Sequence, residues 1–180
     1  PTLTGSNLVV AQVESPMSGA SPPPYQVNPT NWYVGLPGHR FLYISDLGTA
    51  TNYPNAVGAE SGHANSVGGN FFGLVSGVAT GVAQVVNYEA GHFFNQIIAK
   101  PAPPAISARI VNQSFIFPPE DSTNVNRAYD NYVADHGTLF VSGVGNGGST
   151  PVSAPGTCYN GIGVGAYLGS TSFGPTTDGR

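Results

Sequence analysis

Ser61-Gly62-His63-Ala64-Asn65-Ser66-Val67-Gly68-Gly69 puts a histidine where the chain turns into a helix, and the reading of the fold starts there. It gains force from a second stretch. The apolar run Thr138-Leu-Phe-Val-Ser-Gly-Val144 ends in Gly145-Asn146-Gly147. A histidine can take a proton from a hydroxyl nucleophile, and an asparagine amide on a tight glycine turn can donate to an oxygen that becomes negative during acyl transfer. The pair points to hydrolysis through a serine, yet no such serine is recognisable in these 180 residues.

Around these two stretches, apolar β-formers alternate with helical segments. Leu8-Val-Val-Ala-Gln-Val13 reads as a buried strand and Arg40-Phe-Leu-Tyr-Ile44 as a second, short one. Six prolines between Pro16 and Pro37 make residues 15–38 an extended, irregular surface connection. The segment 63–79 is helical from His63, with Gly68, Gly69 and Gly73 expected where something packs close. Ala83–Tyr88 is a strand, Gly91–Lys100 a short helix stopped by Pro101, and Ala108–Phe117 a strand closed by Pro118-Pro119. Ser122 or Thr123 caps the clearest helix, in which Val125, Ala128, Tyr129, Tyr132 and Val133 form one apolar stripe. It ends at His136-Gly137, and the strands Thr138–Val144 and Gly161–Tyr167 follow. Inner strands that are apolar throughout favour a mainly parallel sheet covered on both faces, an α/β fold, in one domain over residues 1–180.

Composition removes several function classes. Only 8% of residues are charged, with 25 Gly and 16 Pro, and 40% are hydrophobic, enough for a real core. The net charge is −4 and the five basic residues are scattered, which argues against nucleic acid as a partner. No apolar run approaches the roughly 20 residues of a membrane span, so no membrane partner is expected. The lone Cys158 excludes an internal disulfide and reads as a buried, inert thiol. The histidines and carboxylates show no close metal-ligand spacing, and no metal or other cofactor is expected.

Three ordered segments resemble the subtilisin-like serine proteases, the subtilases. The family's His-Gly-Thr-x-Val-Ala-Gly stands here as His63-Ala-Asn-Ser-Val67-Gly-Gly69. The aspartate ending the family's first strand is replaced by Glu14 in Val9-Val-Ala-Gln-Val-Glu14. The family's Ala-Ala-Gly-Asn appears as Gly143-Val-Gly145-Asn146. Ile110-Val-Asn-Gln-Ser114, Ile162-Gly-Val-Gly-Ala166 and Phe173–Arg180 resemble further family segments in the same order. The resemblance implies a three-layer subtilisin-like fold, incomplete because the Gly-Thr-Ser segment and the serine helix it opens are missing. It implies secretion and a polypeptide substrate, with the C-terminal remainder of the same catalytic domain as partner.

On that resemblance Glu14, His63 and Asn146 are the catalytic residues. Ser114, Phe115 and Ile116, with Gly143 and Gly145, are the walls along which extended substrate pairs as an added strand. Glu14 would hold His63 in its reactive tautomer. Asp46, in Ile44-Ser-Asp46-Leu47, is the rival carboxylate. Two other readings remain beside the peptidase. One is a subtilase-like domain that binds or scaffolds without cutting. The other is a nucleotide-binding domain on Gly143–Gly148, which requires a helix at Gly147, whereas Ser149-Thr-Pro-Val-Ser-Ala-Pro155 follows.

Overall fold

The computed structural model describes residues 3–146 and 152–165. The last part of the strand expected over Gly161–Tyr167, the helix a nucleotide loop would need at Gly147, and the segment Phe173–Arg180 lie outside the described residues. The chain divides into two compact units, residues 1–111 and 112–180.

In the first unit, β1 (Val9–Glu14), β3 (Phe41–Ser45) and β6 (Gln84–Glu89) pair in parallel, with β4 (Gly48–Ala50) antiparallel on β3, in the order β4-β3-β6-β1. Five consecutive residues of β1, Val10 to Glu14, are buried, so both faces of the strand are covered. Tyr25, Phe41, Tyr43, Phe72 and Val85 meet in the core, and each fully buried Val or Phe contributes roughly 1.5–3 kcal/mol. The segment 15–38 differs from its expectation as a surface connection. Its Pro24–Gln26 forms a short strand, β2, beside β5 (Ala59–Glu60), and Tyr25, Val27, Val34 and Leu36 are buried. The buried Asn87 makes this possible: its Oδ1 accepts from the Val27 amide at 2.8 Å, and its Nδ2 donates to Gln12 O at 3.2 Å. A segment without regular pairing can enter a core when a side chain satisfies its backbone.

Helix α1 (Gly62–Phe71) follows β5. The glycines expected at close approaches do sit at them. A Cβ on Gly68 would lie 2.9 Å from the Phe72 ring, and one on Gly69 would overlap the Tyr33 ring. Helix α2 (Ala90–Phe93) runs into a π-turn over Phe94–Ile98, ahead of Pro101.

The second unit carries β7 (Ile110–Gln113), α3 (Ser122–His136), β8 (Leu139–Gly143) and β9 (Ile162–Val164), with β8 and β9 parallel and β7 shared across the boundary at Val111. Strand β7 is shorter than the run 108–117 predicts. Phe117 N–H donates to Ala154 O at 2.8 Å, outside any ladder, and Pro118 has no donor to continue one. The cap of α3 also differs. A 3₁₀ turn, Pro119–Asp121, feeds directly into the helix, and Asp121 takes the cap position without a side-chain bond. The apolar stripe buries Val125, Tyr129 and Tyr132; both tyrosine rings contact Phe140, and Tyr129 stands edge-on to it at 5.0 Å. Gly137 ends the helix with φ 66°, the left-handed cap for which glycine is suited.

Candidate active site

Three carboxylates stand at the carboxyl ends of β3, β6 and β1. Glu14 closes β1 in register with Glu89, the last residue of β6, and Asp46 follows β3 directly. In an open parallel sheet this carboxyl edge is where ligands bind. Each carboxylate has a different occupation. Glu89 caps α2, accepting from the Gly91 and His92 amides at 2.8 and 2.7 Å. Asp46, 66% exposed, pairs with His92 Nδ1 at 2.8 Å. Glu14 is buried, and its Oε2 lies 2.7 Å from His63 Nδ1.

His63 reaches Glu14 because of how α1 begins. Ser61 has extended backbone and its Oγ accepts from the Ala64 amide at 3.2 Å, which fixes the start of the helix. His63 is then the second helical residue, its side chain 44% exposed over a carboxylate that is 1% exposed. Gln12, two residues before Glu14 on the same face of β1, holds the other side. Its Nε2 donates to Glu14 Oε1 at 2.8 Å and to Ala64 O at 2.9 Å, linking strand, carboxylate and helix. Sequence reading passed over Gln12, although a polar residue inside an otherwise apolar strand was the available signal.

Burial pushes the Glu14 carboxyl above its ordinary value, against the opposing pull of His63 and Gln12. With both carboxylate oxygens engaged, Nδ1 of His63 carries the proton it donates, and Nε2 is left as the basic nitrogen. A half-exposed imidazole in that tautomer can accept a proton from a hydroxyl.

Asn146, in the second unit, is exposed and follows Gly145, whose φ of 108° is a turn conformation that other residues rarely adopt. Gly143 closes β8. Ser114 and Ile116 are exposed and Phe115 is half-buried, in the extended run beyond β7. The structure thus brings Glu14 and His63 together within one unit. It holds Ser114 to Ile116, Gly143, Gly145 and Asn146 within the other. Among the described residues no three of His, Cys, Asp and Glu are grouped to hold a metal ion. No helix among them is long and apolar enough to cross a membrane.

Comparison with solved structures matches the "Structure of Prenylagaramide maturation protease PagA" with a TM-score of 0.55. The two share 16% sequence identity over 88% of this chain and 53% of that one, so this chain spans about half its length, and the likeness is one of fold. No curated protein matches. The model of the Subtilase family matches residues 43–179, which include His63 and Asn146 but not Glu14. An α/β unit with a mainly parallel sheet, a histidine opening its helix at the carboxyl edge, and a family match over most of its length assign the chain to the subtilase family.

Proposed function

We propose that these residues form the acid–base part of a serine endopeptidase site, with Glu14 orienting His63, and His63 activating a serine supplied by the C-terminal remainder of the same domain. The observation that carries this reading is the 2.7 Å contact from His63 Nδ1 to a fully buried carboxylate. His63 Nε2 takes the hydroxyl proton as the serine oxygen attacks the scissile carbonyl, and returns it to the leaving amine. Asn146 donates to the oxyanion, and substrate lies extended along Ser114–Ile116 and Gly143–Gly145. The substrate is polypeptide, and the site of action is extracellular, in keeping with a family whose members are often secreted.

The test is hydrolysis of a peptide amide by a chain extended through the family's Gly-Thr-Ser segment. His63→Ala is expected to remove turnover. Asn146→Ala is expected to lower kcat by about 10²–10³ with little change in KM, the usual effect of deleting one oxyanion donor. An extended, folded chain without turnover supports instead the domain that binds without cutting. Turnover indifferent to His63→Ala refutes the proposed base.

A further inference from the structure

Trp32 is the chain's one tryptophan, and it is 76% exposed. The turn that presents it is fixed. Asn31 Oδ1 accepts from the Tyr33 amide at 3.0 Å, and the Val34 and Gly35 amides donate to Asn31 O at 3.0 and 2.9 Å. Tyr33 lays its ring against Gly69 of α1, and its hydroxyl donates to Asn70 Oδ1 at 2.7 Å. A rigid support therefore holds a large aromatic face in water. Single exposed apolar side chains are common, but this one borders a cavity.

That cavity, about 400 Å³, is lined by Asn31, Trp32, Tyr33, Gly62, Asn65 and Ser66. It lies at the small end of ligand pockets, with room for one side chain and its backbone. Most of its polar groups are already occupied. Asn65 accepts from the Asn28 amide and donates to Glu60, each at 2.7 Å. Ser66 Oγ donates to Gly62 O at 3.0 Å. The Glu60 carboxylate behind Asn65 is taken up by Asn65, Asn28 and the Tyr53 hydroxyl. A charged guest would shed water here and gain little, whereas an apolar guest gains the indole face. Gly62, Asn65 and Ser66 place the cavity against the first turns of α1, the helix that carries the proposed base.

We propose that this cavity is a substrate subsite that takes an aromatic or large aliphatic side chain stacked on Trp32, which makes Trp32 a specificity-determining residue. The proposal rests on the peptidase reading of His63. Trp32 is its own reporter. The His63→Ala form of residues 1–180 is titrated with alanine hexapeptide amides carrying one Phe, Leu, Gly, Lys or Glu at each position in turn. A saturable shift of Trp emission is expected with Phe and Leu peptides, at least about tenfold tighter than with Gly. In an extended, active chain, Trp32→Ala is expected to lower kcat/KM for the Phe peptide by roughly 10- to 100-fold and to spare the Gly peptide, with Trp32→Phe restoring most of the loss. Because Trp32 is exposed, the melting temperature is expected to stay unchanged, which separates lost recognition from lost folding. No emission response, a preference for Lys or Glu, or equal losses for Phe and Gly peptides overturns the subsite. An emission shift without hydrolysis keeps the subsite and overturns the peptidase reading. Hydrolysis indifferent to Trp32→Ala overturns the subsite alone.

Discussion

Glu14→Gln turns one buried oxygen into an amide nitrogen, and the two neighbours of Glu14 decide the outcome. Gln12 Nε2 donates to Oε1 at 2.8 Å, so the new amide oxygen is engaged there and its NH₂ faces His63 Nδ1, where Oε2 now lies at 2.7 Å. An NH₂ donor makes Nδ1 the acceptor and moves the ring proton to Nε2. That tautomer cannot accept a proton from serine, and a kcat loss of up to about 10⁴ is expected. This corresponds to about 5.5 kcal/mol of barrier at roughly 1.4 kcal/mol per tenfold.

Stability moves the other way. Burial raises the Glu14 carboxyl in the folded protein, despite the hydrogen bonds from His63 and Gln12. A carboxyl with a raised folded pKa stabilises the fold most fully below its unfolded value, and that contribution is lost as pH rises through the folded value. At neutral pH the wild type therefore carries a burial penalty that the uncharged amide lacks. Glu14→Gln is expected to melt at a higher temperature than wild type at neutral pH, the difference narrowing as pH falls through the raised folded value and gone below the usual glutamate value of about 4.3. Peptide-amide kinetics of the extended chain, ¹⁵N shifts of the His63 ring and melting curves against pH read the three effects. Unchanged kcat, or a His63 still protonated on Nδ1, refutes the tautomer argument. A lower melting temperature at neutral pH refutes the burial argument.

Asp46→Asn is expected to leave kcat unchanged, because Asp46 pairs with His92 rather than His63, and to cost no more than about 1 kcal/mol in denaturant unfolding. Gln12→Leu removes a hydrogen bond that favours the Glu14 carboxylate, so the acidic limb of the pH–kcat/KM profile is expected to move to higher pH. Gly69→Ala places a methyl into the Tyr33 ring and is expected to destabilise by roughly 1–3 kcal/mol, read as a lowered melting temperature, although alanine is the better helix former.

The local part of this structure was legible in the sequence because it is written in neighbouring residues. The apolar run before Glu14, the turn into helix at His63 and the Gly137 stop each depend on a few adjacent positions, and the structure has them within one or two residues. The choice of Glu14 over Asp46 as the carboxylate beside His63 came from the resemblance and not from any local pattern. Both close apolar strands, and only the order β4-β3-β6-β1 sets Glu14 beneath His63 and Asp46 beside His92. The burial of Tyr25, Val27, Val34 and Leu36 was hidden for a related reason. Prolines erase the periodicity that signals burial, and the Asn87 side chain that holds the segment comes from β6, far along the chain. Gln12 and Trp32 carry no motif, and their importance rests on what folding brings to them.

The most direct test of His63 as base to a serine beyond residues 1–180 is labelling with a fluorophosphonate, which reacts with an activated serine hydroxyl. It is applied to residues 1–180, to the chain extended through the Gly-Thr-Ser segment, and to the extended chain carrying His63→Ala. Labelling is expected at one serine of the extended chain alone, and to be lost with His63→Ala. Labelling of residues 1–180 by themselves, or of the His63→Ala protein at the wild-type rate, contradicts it.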